Sequence, residues 1–289
     1  MYCRNISLLL EGGGARCAFT AGVLDYFLEK ELTFPIVIGV SAGSLTGINF
    51  ISKQYKRFLS MVLDRSNIRF NNSSIKTNEL YDMYRLIVDL NDNLSEFDFE
   101  SFQESNSIFL ASAIKATTGE TVYFEANSAG NINELLKIIS ASCALPAFAK
   151  PVTINHENYF DGGFTEAIPL FESLKRKYDK TVVVLTRPRD YRKEREKVSN
   201  DGKRKLERYP EIIECIENRH IRYNDTLTFL DHMERTGDAV IISPSSDLNL
   251  NALELNYSKT LSMYRDGYQS AKKTYIDICN LSDGRKKNG

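Results

Sequence analysis

An α/β fold with a mostly parallel central sheet flanked by helices is what this 289-residue sequence predicts, and three stretches carry the prediction. Two are consecutive strand–glycine turn–helix units at residues 6–30 and 34–52, the pattern of a parallel sheet joined by right-handed crossovers. The third is a β-branched run at residues 181–186, bounded by charge, which reads as a further parallel strand. A composition of 42% hydrophobic and 26% charged residues is enough to fill the core that such a fold needs.

The first unit opens with Ile6-Ser7-Leu8-Leu9-Leu10, short and apolar enough for a buried strand. It runs into Glu11-Gly12-Gly13-Gly14-Ala15-Arg16, and a helix follows over residues 15–30, where Phe19, Val23, Phe27 and Leu28 recur at helical spacing. The amides of a glycine turn and the positive end of a helix dipole then converge on one point, an anion-binding nest. The second unit enters through Phe34-Pro35-Ile36-Val37-Ile38, turns at Gly39-Val40-Ser41-Ala42-Gly43 and leaves as a helix. That is the setting of a nucleophile elbow: the serine sits on a tight turn, and glycine at either end keeps side chains off the neighbouring backbone. In a parallel sheet both turns lie at the carboxyl edge, where open α/β folds hold ligands, so Ser41 is expected beside Gly12, Gly13 and Gly14.

Residues 53–105 read as polar and largely helical, with Leu80, Tyr84, Ile87 and Leu90 as one apolar stripe. Residues 107–117 and 121–126, split by Gly119, read as a β-hairpin. A helix over 132–141 leads into the small-residue segment Ser142-Cys143-Ala144-Leu145-Pro146, and strand-like runs at 152–154 and 159–160 flank a polar turn. The second run ends in Asp161-Gly162-Gly163, another glycine turn, this one carrying a carboxylate. A helix over 169–178 precedes the strand at 181–186. Residues 187–208 then hold ten Lys/Arg against five Asp/Glu and read as a solvated surface loop. Helices over 210–235 and 257–280 enclose the strand-like Ala239-Val240-Ile241-Ile242, and residues 283–289 read as a frayed tail.

A net charge of −1 gives no electrostatic case for a nucleic-acid partner. The five cysteines are scattered without a C-x-x-C pair, so neither a disulfide framework nor a zinc site is expected. The first residues lack a signal-peptide pattern and no apolar run approaches the roughly 18 residues of a membrane span, so a soluble, cytoplasmic protein is expected.

Ser41 is a weak nucleophile until a base takes its proton. The three histidines, His156, His220 and His232, have no motif around them. Asp161 has a better pattern: the two glycines after it let its backbone approach another element closely, and partial desolvation raises a carboxylate pKa towards working pH. The amides of Gly12, Gly13 and Gly14 can stabilise the negative charge that builds on an attacked carbonyl, with Arg16 bracing the loop or adding positive potential. A nucleotide-phosphate loop is disfavoured, because Cys17 stands where G-x-G-x-x-G needs glycine and no Walker lysine follows.

Glu11-Gly12-Gly13-Gly14-Ala15-Arg16, Gly39-Val40-Ser41-Ala42-Gly43 and Asp161-Gly162-Gly163, in that order, resemble the patatin-like phospholipase family. Residues 15–26, 140–151 and 185–191 are similar to it as well, and the resemblance spans residues 5–190. It implies a three-layer α/β/α catalytic domain over residues 1–190, a mainly helical extension over 191–282 on the same core, and the tail beyond. It also implies hydrolysis of lipid acyl esters through an acyl-enzyme, without metal or organic cofactor. Ser41 would be the nucleophile, Asp161 the base, and Gly12, Gly13, Gly14 and Arg16 the oxyanion hole, with Gly39, Gly43, Gly162 and Gly163 as motif glycines. The partner implied is a lipid or other acyl-ester substrate, met with transient contact at a membrane surface.

Two alternatives remain open at this point. An α/β-hydrolase order of serine, acid and histidine is met by Ser41, Asp161 and either His220 or His232. A lipid- or acyl-binding protein with little turnover is the other, because the family carries glycine where Cys17 stands and a side chain there narrows the loop.

Overall fold

Apolar runs too short for a helix become the centre of the molecule once helices cover both of their faces. The computed structural model describes residues 1–63, 80, 82–92, 97–247, 250 and 256–283. Its strands are β1 (Ile6–Leu10), β2 (Ile36–Val40), β3 (Ile108–Lys115), β4 (Thr121–Glu125), β5 (Val152–Ile154), β6 (Glu157–Asp161), β7 (Lys180–Val184) and β8 (Ala239–Ile242). They form one sheet in which hydrogen-bonded neighbours follow the path β5-β6-β3-β2-β1-β7-β8, with β4 also paired to β3. Pairing is parallel from β3 through β2, β1 and β7 to β8, and antiparallel where β4, β5 and β6 are involved. Every residue of β1 and β2 is buried, as parallel strands between two helical layers must be.

The described helices are α1 (Cys17–Glu29), α2 (Ala42–Ile51), α3 (Arg57–Leu63), α4 (Met83–Asp92), α5 (Phe99–Gln103), α6 (Ile132–Cys143), α7 (Leu170–Lys175), α8 (Asn200–Lys205), α9 (Pro210–Thr236) and α10 (Tyr257–Ser282). The chain steps from β1 to β2 to β3 in one direction and from β7 to β8 in the other. Right-handed crossovers therefore put α1 and α2 on one face and α9 on the opposite face. The core follows this division. Leu8, Leu10, Val37 and Phe109 pack with Phe19, Phe27, Ile48, Ile139 and Met263, from α1, α2, α6 and α10. Leu9, Ile38 and Leu110 pack instead with Leu170, Tyr223, Leu227 and Leu230, from α7 and α9. A third cluster joins Ile114 and Phe160 at the antiparallel end to Ile212 and Ile216 of α9.

One register decides the rest. β4 pairs with residues 110–114 of β3, so β2, paired with residues 108–112, occupies the other edge. β6 pairs with residues 113–115, overlaps β4 as well, and must share the edge that holds β2. β2 runs up that edge and ends with Val40 opposite Ser112; β6 runs down it and ends with Asp161 opposite Ala113. The two strands meet end to end.

Several elements differ from the sequence reading. The first helix begins at Cys17, because a 3-10 turn (Gly14–Arg16), with Gly14 at φ 56°, comes before it. The hairpin at β3 and β4 is present, but β3 is also an interior strand of the main sheet. The charged stretch 187–208 includes α8, whose N-cap Ser199 accepts a hydrogen bond from Gly202 N. Ile87 is buried and Tyr84 packs against the core, while the Leu90 side chain lies outside the described residues, as do residues 284–289 of the expected tail.

α10 lies against α1 at glycine on both sides. A β-carbon at Gly22 would come 2.0 Å from Tyr264 O, and one at Gly267 would come 2.0 Å from Phe19 O. Gly267→Ala is expected to force these backbones apart at a cost of about 2 kcal/mol, measured as a melting temperature several degrees lower with α-helical content retained.

Candidate active site

The turn after β2 holds Ser41 at φ 54° and ψ −130°, a conformation that costs a non-glycine residue roughly 1–3 kcal/mol. Its surroundings enforce it. Ser41 N donates to Ser142 Oγ at 2.9 Å, Ser142 Oγ is also 2.9 Å from Ser44 Oγ, and Ser41 O accepts from Ser44 N at 2.8 Å. β-Carbons at Gly39 and Gly43 would lie 2.6 Å from Ser44 Cα and 2.7 Å from Leu10 O, so the elbow closes only with glycine at both positions.

Asp161 comes to this point from the opposite direction. Ser41 Oγ donates to its Oδ2 at 2.5 Å, and Gly163 N donates to its Oδ1 at 2.7 Å. The carboxylate is 1% exposed. Burial pushes its pKa up to about 6, opposed by the Ser41 hydroxyl, the Gly163 amide and the positive charge of Arg219. Gly162 allows the turn to close, since a β-carbon there would stand 2.2 Å from Ser112 Oγ. Cys143, at the end of α6, is buried beside the pair; burial first and the Asp161 charge next hold its thiol protonated.

The first glycine loop lies against the same serine. A β-carbon at Gly12 would be 3.1 Å from Ser41 Cβ. The expectation that all three glycine amides face the reacting carbon needs correction at Gly12, whose N–H is taken by Ala167 O at 3.3 Å. The Gly13 amide lies by the Cys17 thiol, and among the described residues no acceptor takes the Gly14 amide. Cys17 is fully buried, its thiol directed at Glu11 O at 3.6 Å, and burial pushes its pKa up to about 12. Arg16 braces the loop through Nη1 to Leu250 O at 3.2 Å, and burial lowers its pKa.

Glu11 is 2% exposed and anchors the loop. It accepts hydrogen bonds from Thr186 N at 2.5 Å, Thr186 Oγ1 at 3.1 Å and Tyr223 Oη at 2.8 Å. Burial raises its pKa, and those three donors hold it down. Tyr223 and Arg219 are one turn apart on α9, so one helix reaches both glycine turns. Arg219 stacks on Phe164, its guanidinium carbon 4.5 Å from the ring centroid. Sequence reasoning missed Ser142, Thr186, Arg219 and Tyr223, which have no local signature.

Among the described residues no histidine is hydrogen-bonded to Ser41 or Asp161. His220 Nδ1 is 3.0 Å from Glu217 O of its own helix, and His156 and His232 are exposed. Among the described residues, no three His, Cys, Asp or Glu side chains are grouped to hold a metal ion.

A family model described as Patatin-like phospholipase matches residues 8–174, more than half of the chain. The chain belongs to the patatin-like phospholipase family. A second model, a domain of unknown function (DUF6363), matches residues 209–281. Among curated proteins, the chain is 29% identical over 198 residues to the uncharacterized protein YjjU of Escherichia coli K12, a match covering 64% of this chain and 52% of that protein. The chain thus spans about half the length of this relative. Among solved structures it is similar to VipD from Legionella pneumophila, with a TM-score of 0.51 and 14% identity over 97% of this chain and 67% of that one. That likeness is one of fold. Among the described residues no helix is long and apolar enough to cross a membrane.

Tyr223→Phe removes a donor from a buried carboxylate and is expected to cost about 1–3 kcal/mol, read from the midpoint of urea unfolding.

Proposed function

We propose that this patatin-like protein hydrolyses lipid acyl esters with Ser41 as nucleophile and Asp161 as its only base. The observation that carries the reading is the 2.5 Å contact between Ser41 Oγ and Asp161 Oδ2 at the meeting of two strand ends. Asp161 accepts the hydroxyl proton while Ser41 Oγ attacks the ester carbonyl. The charge that develops on the carbonyl oxygen is met by the amides of Gly13 and Gly14, with Arg16 bracing their loop. Gly12 contributes by having no side chain. Collapse returns the proton from Asp161 to the departing alcohol and leaves the acyl group on Ser41. Water then attacks the acyl-enzyme, Asp161 takes its proton, and the carboxylic acid leaves as Ser41 regains its own. Contact with a lipid surface during turnover is transient.

One observation supports a second reading, an acyl-binding protein with little turnover: the Gly13 amide lies by the buried Cys17 sulfur, which competes with a carbonyl oxygen for that donor. A fluorophosphonate probe separates the two, because only an activated Ser41 forms the phosphonyl adduct.

Ser41→Ala and Asp161→Asn are each expected to lower kcat on lipid esters by roughly 10³-fold or more without lowering the melting temperature. Replacing all three histidines is expected to leave kcat/KM within a few-fold of wild type; its collapse would establish a triad instead. Asp161 works as base only when ionised, so kcat/KM is expected to rise as pH climbs through about 6 and to be lost below it.

A further inference from the structure

We infer that Arg219, supplied by α9 from beyond the residues that match the patatin family, is a positioning residue that keeps the Asp161 carboxylate charged and aimed at Ser41. The inference rests on the Ser41–Asp161 reading and assigns a task in that chemistry to the C-terminal region. α9 packs against the 3-10 turn (Gly162–Phe164) that Asp161 caps. The Arg219 guanidinium lies across this turn, stacked on Phe164 at 4.5 Å, and a β-carbon at Gly163 would be 3.6 Å from its Nη2. That same β-carbon would be 3.0 Å from Asp161 Oδ1, so the cation and the carboxylate flank one glycine. Among the described residues, Arg219 Nε is buried without a hydrogen-bond partner. A guanidinium held so is fixed by packing, and its charge acts through space.

Among the described residues, four groups face Asp161. Ser41 comes from the elbow, the Gly163 amide from its own turn, the Cys143 thiol from α6 and Arg219 from α9. Among the described residues Arg219 is the cation that acts on Asp161, and its field favours the ionised carboxylate against the burial that favours the neutral acid. Without it, Asp161 would carry a proton over more of the neutral range and could not accept one from Ser41. The stacking on Phe164 also limits how far the turn can swing, which keeps Oδ2 directed at the hydroxyl.

The test follows the Asp161 carboxyl carbon by ¹³C NMR against pH, assigned by its disappearance in Asp161→Asn, alongside kcat and KM for a soluble ester. In Arg219→Met, which keeps an unbranched stem over Phe164, the midpoint is expected about one pH unit above wild type. Its kcat at pH 6 is expected to fall about fivefold with KM nearly unchanged, recovering at pH 8. Arg219→Lys, which keeps the charge, should stay close to wild type. Arg219→Gln is the second neutral variant, and whichever neutral variant retains the wild-type circular dichroism decides. An unmoved midpoint in it, or an equal rise in Arg219→Lys, overturns the inference. Because the midpoint is read without turnover, an active Asp161→Asn would sink the dyad while still leaving Arg219 to be judged.

Discussion

Two strands run towards each other along one edge of β3, and the contact between Ser41 and Asp161 exists because neither extends past the other. β2 stops opposite Ser112 and β6 stops opposite Ala113, so successive positions of a single strand fix the hydroxyl and the carboxylate. A strand holds its neighbours more rigidly than a loop does, through hydrogen bonds spaced along its length. Both groups are then turned inward by the local backbone, Ser41 by a strained dihedral angle and Asp161 by the 3-10 turn it caps. The geometry of the sheet thereby becomes the geometry of the Ser41–Asp161 contact.

Around this meeting point lie two carboxylates buried among the described residues, Glu11 and Asp161, in different surroundings. Glu11 receives three hydrogen bonds and ties β1 to the segment after β7 and to α9; it is a structural strut. Asp161 receives two, one of them from the residue it would deprotonate. Burial favours the neutral form of either group, and the number and kind of donors oppose it. Both carboxylates look to the same helix for part of that compensation, one through Tyr223 and the other through Arg219.

The three glycine turns were legible because their demands are local. A serine at positive φ needs small neighbours, and an aspartate that caps a turn needs an amide two residues on. The parallel order of β1 and β2 was legible from their unbroken apolar runs. What could not be read was pairing across long stretches of chain. Nothing near residue 161 says that β6 shares an edge with β2, since the periodicity of a strand does not name its partner. The amide of Gly12 was expected to be free, yet Ala167, more than 150 residues away, takes it. Ser142 looked like one small residue among several, and only the folded chain shows its hydroxyl on the Ser41 amide. α9 was evident as a helix, but not that its inward face carries an arginine and a tyrosine to two different turns.

α9 also sets when the two glycine turns can first reach their folded surroundings. A ribosome makes β1, β2 and the aspartate turn before it makes α9 and α10, which cover the second face of the sheet and the outer side of α1. Until those residues emerge, Glu11 lacks its tyrosine, the aspartate turn lacks its stacked cation, and a broad apolar face of the sheet stands uncovered. The nascent chain therefore cannot settle these two buried carboxylates one strand at a time; both wait for α9.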